Sequence, residues 1–293
     1  MQVFASAAVI GLFLGTIYAL MALGMVAAYR INRVVNLGQA GMAAFGASVY
    51  WWMTSVWGAP VLVALVGGIL AGGAIGAMLG WANLKMVAWP RGFVMIFTLT
   101  ITLLLFAVVD WILPDTTVSP ESPFGAGGFN FALTYVTSHQ IGTFLTCVIV
   151  AFLATWVVRK TRVGIYVRAI YDDPDGASTL GVPLGVFVVG VWATGGALAG
   201  LAGILVSPRT LLDTLLLLFV MVWALAAAIL GGLESFAIAL AGGLLLGLAQ
   251  GIAGGVFGGQ LGPGLENMAA IVVMSGGVLY AGIKHRDLAH IQT

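Results

Sequence analysis

Stretches of about 20 apolar residues, each closed by a short polar or charged cluster, recur along the whole chain. That length is what a helix needs to cross about 30 Å of hydrocarbon. Nine such stretches run over residues 3–29, 38–57, 61–82, 92–113, 141–158, 185–206, 215–230, 236–257 and 265–283. They predict an all-α polytopic transmembrane bundle of eight or nine helices, forming one transmembrane domain over residues 1–293. The choice between eight and nine turns on 38–57, whose first half holds Gln39, Gly41 and Gly46. That stretch reads either as a full span or as a broken, re-entrant helix.

Composition fixes the solvent. With 61% hydrophobic and 7% charged residues and a mean hydropathy of +1.11, the chain has too little polar surface to cover a water-soluble globule. Lipid is the implied surrounding, and the predicted location is the cell's inner (plasma) membrane, crossed many times. Glycine, at 42 of 293 residues, is about twice its usual share. A net charge of +1 gives no basic excess for nucleic acid. The single cysteine, Cys147, lies in an apolar run and reads as packing. Only Met1 and Gln2 precede the first apolar stretch, so no positive n-region of a cleavable signal is visible and that stretch is expected to stay.

Basic residues set a direction, because Lys and Arg in short loops are retained on the cytoplasmic side. Placing the N-terminus outside and the C-terminus inside puts every basic residue except Arg209 in inner connections: Arg30 and Arg33, Lys85 and Arg91, Arg159 to Arg168, then Lys284 and Arg286. The longest outer connection, a periplasmic loop over 114–140, carries Asp115 and Glu121 and no Lys or Arg. Two glycine ladders of spacing four, Gly68, Gly72, Gly76 and Gly80, and Gly243, Gly247, Gly251, Gly255 and Gly259, each fall on one helical face. Such faces let backbones pack closely in lipid. The fifth stretch lies midway between two groups of four whose ladder-bearing members run in opposite directions, which suggests an inverted repeat.

The segment 159–183, RKTRVGIYVRAIYDDPDGASTLGVP, is too polar to enter lipid. Arg162, Tyr166 and Ala169 fall at helical spacing, and Pro174 suits the first turn of a second short helix, capped by Asp172 or Asp173 and ended by Gly181. A solvated loop is the plainer alternative. A helix lying along the membrane is what a partner would need to push on a bundle.

This segment resembles the coupling loop of the permeases of branched-chain amino acid ABC importers, the LivH and LivM type. Three further stretches carry the same resemblance: VVNLGQAGMAAFGASVYW at 34–51, ATGGALAGLAGIL at 193–205, and ILGGLESFAIALAGGLLLGLAQ at 229–250. In the last, Glu234 stands where the family usually has glycine. The resemblance implies an ABC importer permease fold forming part of a translocation path. It also implies a second permease subunit (a heterodimer, with a homodimer as the alternative), two cytoplasmic ABC ATPases and an extracytoplasmic binding protein, with membrane lipid around the bundle. No cofactor is expected in this chain; ATP and Mg would be used by the ATPase partners. The sequence agrees, since Lys85, Lys160 and Lys284 follow Leu, Arg and Ile and close no phosphate loop. Candidate contacts with the ATPase are Arg168, Asp172, Asp173 and Asp175, with Arg162, Tyr166 and Gly181 shaping the loop.

Enzymatic readings find little support. His139, His285 and His290 show no metal-ligand spacing, and the aspartates near Pro174 lack the burial that tunes an acid and base pair. Polar residues inside the apolar stretches are the candidates for a substrate path: Asn36, Gln39, Thr98, Thr102, Thr194 and Gln250. The threonines have the competing reading of bonding to their own helix. The expected cargo is a branched-chain or other hydrophobic amino acid, with urea, short amides or aromatic acids as alternatives. An ATP-independent transporter or channel is the reading from another class, but Asp110, Asp213 and Glu266 all fall near outer ends.

Overall fold

The computed structural model describes residues 2–113, 118–131, 134–258 and 264–291, with side chains described up to residue 277 and at Leu279. Asp115 and Gly259 lie outside the described residues, as do the side chains of Lys284, His285, Arg286 and His290. The helices are α1 (Gln2–Asn32), α2 (Gln39–Ser55), α3 (Val61–Lys85), α4 (Arg91–Ile112), α5 (Ser138–Lys160), α6 (Arg162–Asp172), α7 (Pro174–Thr179), α8 (Leu184–Thr210), α9 (Thr214–Leu230), α10 (Phe236–Ile252) and α11 (Leu265–Ile291). A π-helical turn, Ala253–Phe257, continues α10. Among the described residues six helices have the length and apolarity to cross a membrane: α1, α3, α4, α5, α8 and α10 with its π turn. The apolar α9 is shorter, and α2 is continuous over its 17 residues.

Helix α1 is the axis of the bundle, with every residue from Gly15 to Val26 buried. It packs along α10, and α3 packs along α8 in the same way. Both seams are backbone on backbone. A Cβ on Gly72 would stand 2.5 Å from the Gly196 carbonyl oxygen, and one on Gly243 would stand 2.6 Å from the Ala19 nitrogen. Gly247 lies directly against Gly15, and Gly76 against the Trp192 carbonyl. Small residues thus replace the hydrophobic drive that lipid cannot supply.

The two seams correspond to one another under an exchange of elements. Exchanging α1–α4 with α8–α11 turns the α3–α8 seam into the α10–α1 seam, and likewise converts α2–α3 into α9–α10 and α2–α8 into α9–α1, all of which are packed pairs. The reversals correspond as well. Arg33 (φ 57°) lies between α1 and α2, and Leu211 (φ 67°) between α8 and α9. Gly58 (φ 63°) follows α2, while Gly232 (φ 63°) and Leu233 (φ 59°) follow α9. Helix α1 ends on the face from which α8 departs, so these two helices run in opposite directions.

The reversals gather on two faces. On one, the α1 end meets α6 through Arg30, Arg33 and Tyr171, meets the α3 end through Asn32 and Asn83 (2.9 Å), and lies beside the α9–α10 turn. This basic face also carries Arg159 to Arg168 of α5 and α6. On the other, Tyr50 donates to the Glu121 carbonyl (2.9 Å) and Leu212 N–H to the Val118 carbonyl (3.0 Å). There the long connection folds into an antiparallel hairpin, β1 (Gly128–Phe131) with β2 (Thr134–Thr137), closed onto α5 by a Thr137 and Gln140 capping box. Buried His139 bridges Ser122 (2.9 Å) and the Leu205 carbonyl (2.8 Å), a tether between hairpin and bundle. Arg30, Arg33, Lys85 and Arg159 to Arg168 thus lie on one face.

Candidate functional site

The segment 159–183 is two helices rather than a loop. Thr161 caps α6 by accepting from Gly164 N–H, and the helix buries Gly164, Val167 and Ile170 while exposing Arg162, Val163, Ile165 and Arg168. Amphipathic spacing of this kind makes a helix lie on a surface rather than pass through it. Tyr166 is partly exposed and packs its ring on Phe187, centroid to centroid 5.4 Å. Of the two capping candidates, Asp173 is the cap: its carboxylate accepts from Gly176 N–H at 3.0 Å, with Pro174 in the first turn. Helix α7 ends at Thr179, one residue earlier than the sequence suggests, and Gly181 carries the positive φ of 82° that reverses the chain toward α8. Asp172, Asp173 and Asp175 are all exposed, and beside them Leu180 is 86% exposed. An apolar side chain held that far out of the surface next to three carboxylates is an arrangement for contact.

Beside the packing of Tyr166 on Phe187, a second tie of α6 to the bundle lies outside the predicted residues. Tyr171 donates to the Glu234 carboxylate at 2.5 Å, and Arg33 lies over its ring at 4.3 Å with Arg30 at 5.5 Å. The hydrogen bond to Glu234 is the first cause that raises the Tyr171 pKa above its ordinary value. One side chain thus joins α6 to the end of α1 and to the α9–α10 turn. The signal in the sequence was Glu234 itself, a charge at a glycine-rich turn.

The predicted path residues fall in three places. Asn36, Gln39, Thr98 and Thr102 come together around the non-helical stretch before α2. Thr98 accepts from Leu37 N–H (3.1 Å), Thr102 donates to the Leu37 carbonyl (2.8 Å), and the Asn36 side chain accepts from Gly38 N–H (2.9 Å). Fully buried Gln39 spans the α1 ladder, its amide nitrogen donating to the Met21 carbonyl (3.1 Å) and its oxygen accepting from Met25 N–H (3.2 Å). These contacts satisfy a backbone that leaves helix inside the bundle, which is a positioning role; among these four side chains the Asn36 amide nitrogen is buried without a partner. Thr194 is apart, exposed on α8, with its hydroxyl donating to its own helix at Gly190 (2.8 Å).

Gln250 is in the third place and faces a cavity. Its side-chain oxygen accepts from the Tyr18 hydroxyl at 2.6 Å, at the end of a space of about 550 Å³ between α1, α9, α10 and the start of α11. Leu14, Phe219 and Trp223 give it apolar walls, and Asp213 and Glu266 stand at its hairpin-face end. Asp213 also caps α9, accepting from Leu215 N–H at 2.8 Å. An apolar-walled cavity with carboxylates at its mouth and neutral polar side chains, Tyr18, Gln250, Thr210 and Asn267, in its lining suits a small solute with a cationic group and an apolar body.

The family described as the permease component of the branched-chain amino acid transport system matches residues 7–281. Among curated relatives, a probable branched-chain amino acid transport permease protein LivH of Methanocaldococcus jannaschii is 28% identical over 78% of this chain and 74% of its own length. The galactose/methyl galactoside import permease protein MglC of Escherichia coli is 30% identical over 55% of this chain and 49% of its own. Among solved structures, one described as a metal-chelate type ABC transporter in an inward-facing conformation aligns over 94% of this chain and 85% of its own, with a TM-score of 0.52 at 15% identity.

Proposed function

Since the chain belongs to the family of permease components of branched-chain amino acid transport systems, we propose that it is the membrane-spanning subunit of an ATP-driven importer of hydrophobic amino acids, with α6 and α7 as the element on which the ATPase pushes. The observation that carries this reading is the geometry of that element: three exposed carboxylates and exposed Leu180 on two short helices, joined through Tyr171 to α1 and to the α9–α10 turn. Displacement of α6 reaches both halves of the bundle through one side chain, because α1 and α10 share a seam that cannot shear without backbone collision. The basic face is then cytoplasmic, and the hairpin face meets the binding protein. Two permease subunits, alike or different, would complete the path.

The Tyr18 and Gln250 cavity is the substrate-facing part of this chain in the same reading. Asp213 and Glu266 receive the ammonium group, and the apolar walls receive the side chain. A second reading, a neutral sugar, has support from the galactoside permease relative, and it makes no use of the carboxylates at the mouth.

Reconstitution in vesicles with the partner ATPase and binding protein tests both parts. Replacing Asp173 by Ala together with Gly181 by Val is expected to lower leucine uptake more than tenfold while ATP hydrolysis persists; undiminished uptake would remove α6 and α7 from the energy path. Competition by leucine, isoleucine and valine, and none by galactose or urea, is the expected specificity.

A further inference from the structure

Two cavities on the basic face have one wall in common. The first, about 280 Å³, is lined by Arg30, Arg159, Arg168 and Glu234 with the first turn of α10 at Ser235–Ala237. Three arginines and one glutamate line it, and the Glu234 carboxylate already accepts from Tyr171. The first-turn N–H groups of a helix add partial positive charge. The Arg30 Nε is buried without a hydrogen-bond partner. The second cavity, about 420 Å³, runs up the bundle between α1, α5, α8 and α10 and is lined by aliphatic side chains such as Leu23, Leu153, Val157 and Leu198. Its one hydroxyl, Thr194, is satisfied within its own helix. Arg30, Val158 and Phe236 line both cavities.

We propose that the pair of cavities is a binding site for one anionic phospholipid of the leaflet on the basic face, its phosphodiester among Arg30, Arg159 and Arg168 and an acyl chain in the groove beside α5. Guanidinium clusters with an adjoining helix N-terminus recognise phosphate oxygens in the fork geometry that lysine cannot match, and basic pockets between membrane helices take anionic headgroups. The groove follows α5 from Val158 to Val150, which is about 12 Å at 1.5 Å per residue. The aliphatic lining offers no free polar partner, and a hydrocarbon chain needs none. The site lies against α6, so a lipid there would fill the angle between the surface helix and the bundle. The proposal stands apart from the identity of the cargo.

The test uses the full-length protein in nanodiscs and a phosphatidylglycerol bearing a photoactivatable diazirine on one acyl chain, with the matching phosphatidylcholine as the comparison. Labelling concentrated in residues 150–158 of α5 and 191–198 of α8 is expected, at least fivefold greater for phosphatidylglycerol. Arg159 and Arg168 are exposed, so Arg159→Gln with Arg168→Gln leaves the packed interior untouched and should remove that preference. Ala154→Phe, on the groove wall, should remove labelling at α8 while leaving the headgroup cluster in place. Equal labelling by the two lipids, labelling spread over α3 and α4 as much as α5, or labelling indifferent to both variants would overturn the proposal. So would protection of the groove by a neighbouring subunit in the assembled transporter, which would make its occupant a protein.

Discussion

The glycine seams and the α6–α7 element are held to the same bundle by opposite means. Along α3–α8 and α1–α10 the contact is main chain to main chain, with no space even for a methyl group at Gly72 or Gly247. Helix α6 rests on three buried residues, Gly164, Val167 and Ile170, and is tied by Tyr166 on Phe187 and by Tyr171 with one carboxylate and two arginines at a wet surface. The first kind of contact is strong because packing is dense and bistable rather than soft; the second is weak per contact, since exposed polar pairs contribute little. A transporter that moves as rigid bodies needs both: halves that do not shear, and a handle whose attachment is specific without being stiff.

The largest test of that contrast is at the seams. Gly247→Leu forces a side chain into the Gly15 backbone, and overpacking on this scale costs about 3 kcal/mol or more. The yield of monodisperse protein after detergent extraction should fall at least tenfold, whereas Gly92→Leu, where nothing stands within 4 Å, should leave it unchanged. Next comes the clamp on the stretch before α2. Thr98→Val with Thr102→Val leaves the Leu37 N–H and carbonyl unpaired inside the bundle, at about 1–3 kcal/mol for each group, and a clear drop in thermal unfolding temperature is the expected result. Asp173→Ala removes only the cap of α7, about 1 kcal/mol. Faster proteolysis at residues 173–182 with an unchanged unfolding temperature of the bundle would sharpen the separation between handle and seam; a drop in that temperature would break it.

The smallest effect is at the tether. Tyr171→Phe keeps the ring beneath Arg33 and loses the bond to Glu234, about 0.5 kcal/mol at such a surface. Because that bond favours the neutral phenol, the Tyr171 pKa is raised from its ordinary value of 10.0. The stabilisation is complete below that ordinary value and is lost only as pH rises through the higher folded-state value. Uptake between pH 6 and 8 should therefore show no Tyr171-dependent step.

How far these features could be read from the sequence depends on the distance over which each is determined. The spans and both ladders follow from local periodicity, so 61–82 and 236–257 fall within a few residues of α3 and of α10 with its π turn. The cap at Asp173 and the turn at Gly181 are likewise local. Thr98 and Thr102 were visible as a polar face, but their service to Leu37, 61 and 65 residues earlier, is a tertiary fact. The pairing of Tyr18 with Gln250 spans 232 residues and left no local trace. The hairpin did leave one, the alternation of GFNF and TYVT in 128–131 and 134–137, which the search for apolar spans passes over.

The central claim, that α6 and α7 meet the ATPase, is tested most directly by cross-linking in the assembled transporter. Thr179→Cys, on exposed α7, and Asn130→Cys, on the exposed hairpin, place a thiol on each face, while native Cys147 is buried. A short bifunctional maleimide should join the α7 variant to the ATPase subunit and the hairpin variant to no ATPase. Cross-linking from the hairpin with none from α7 would contradict the account.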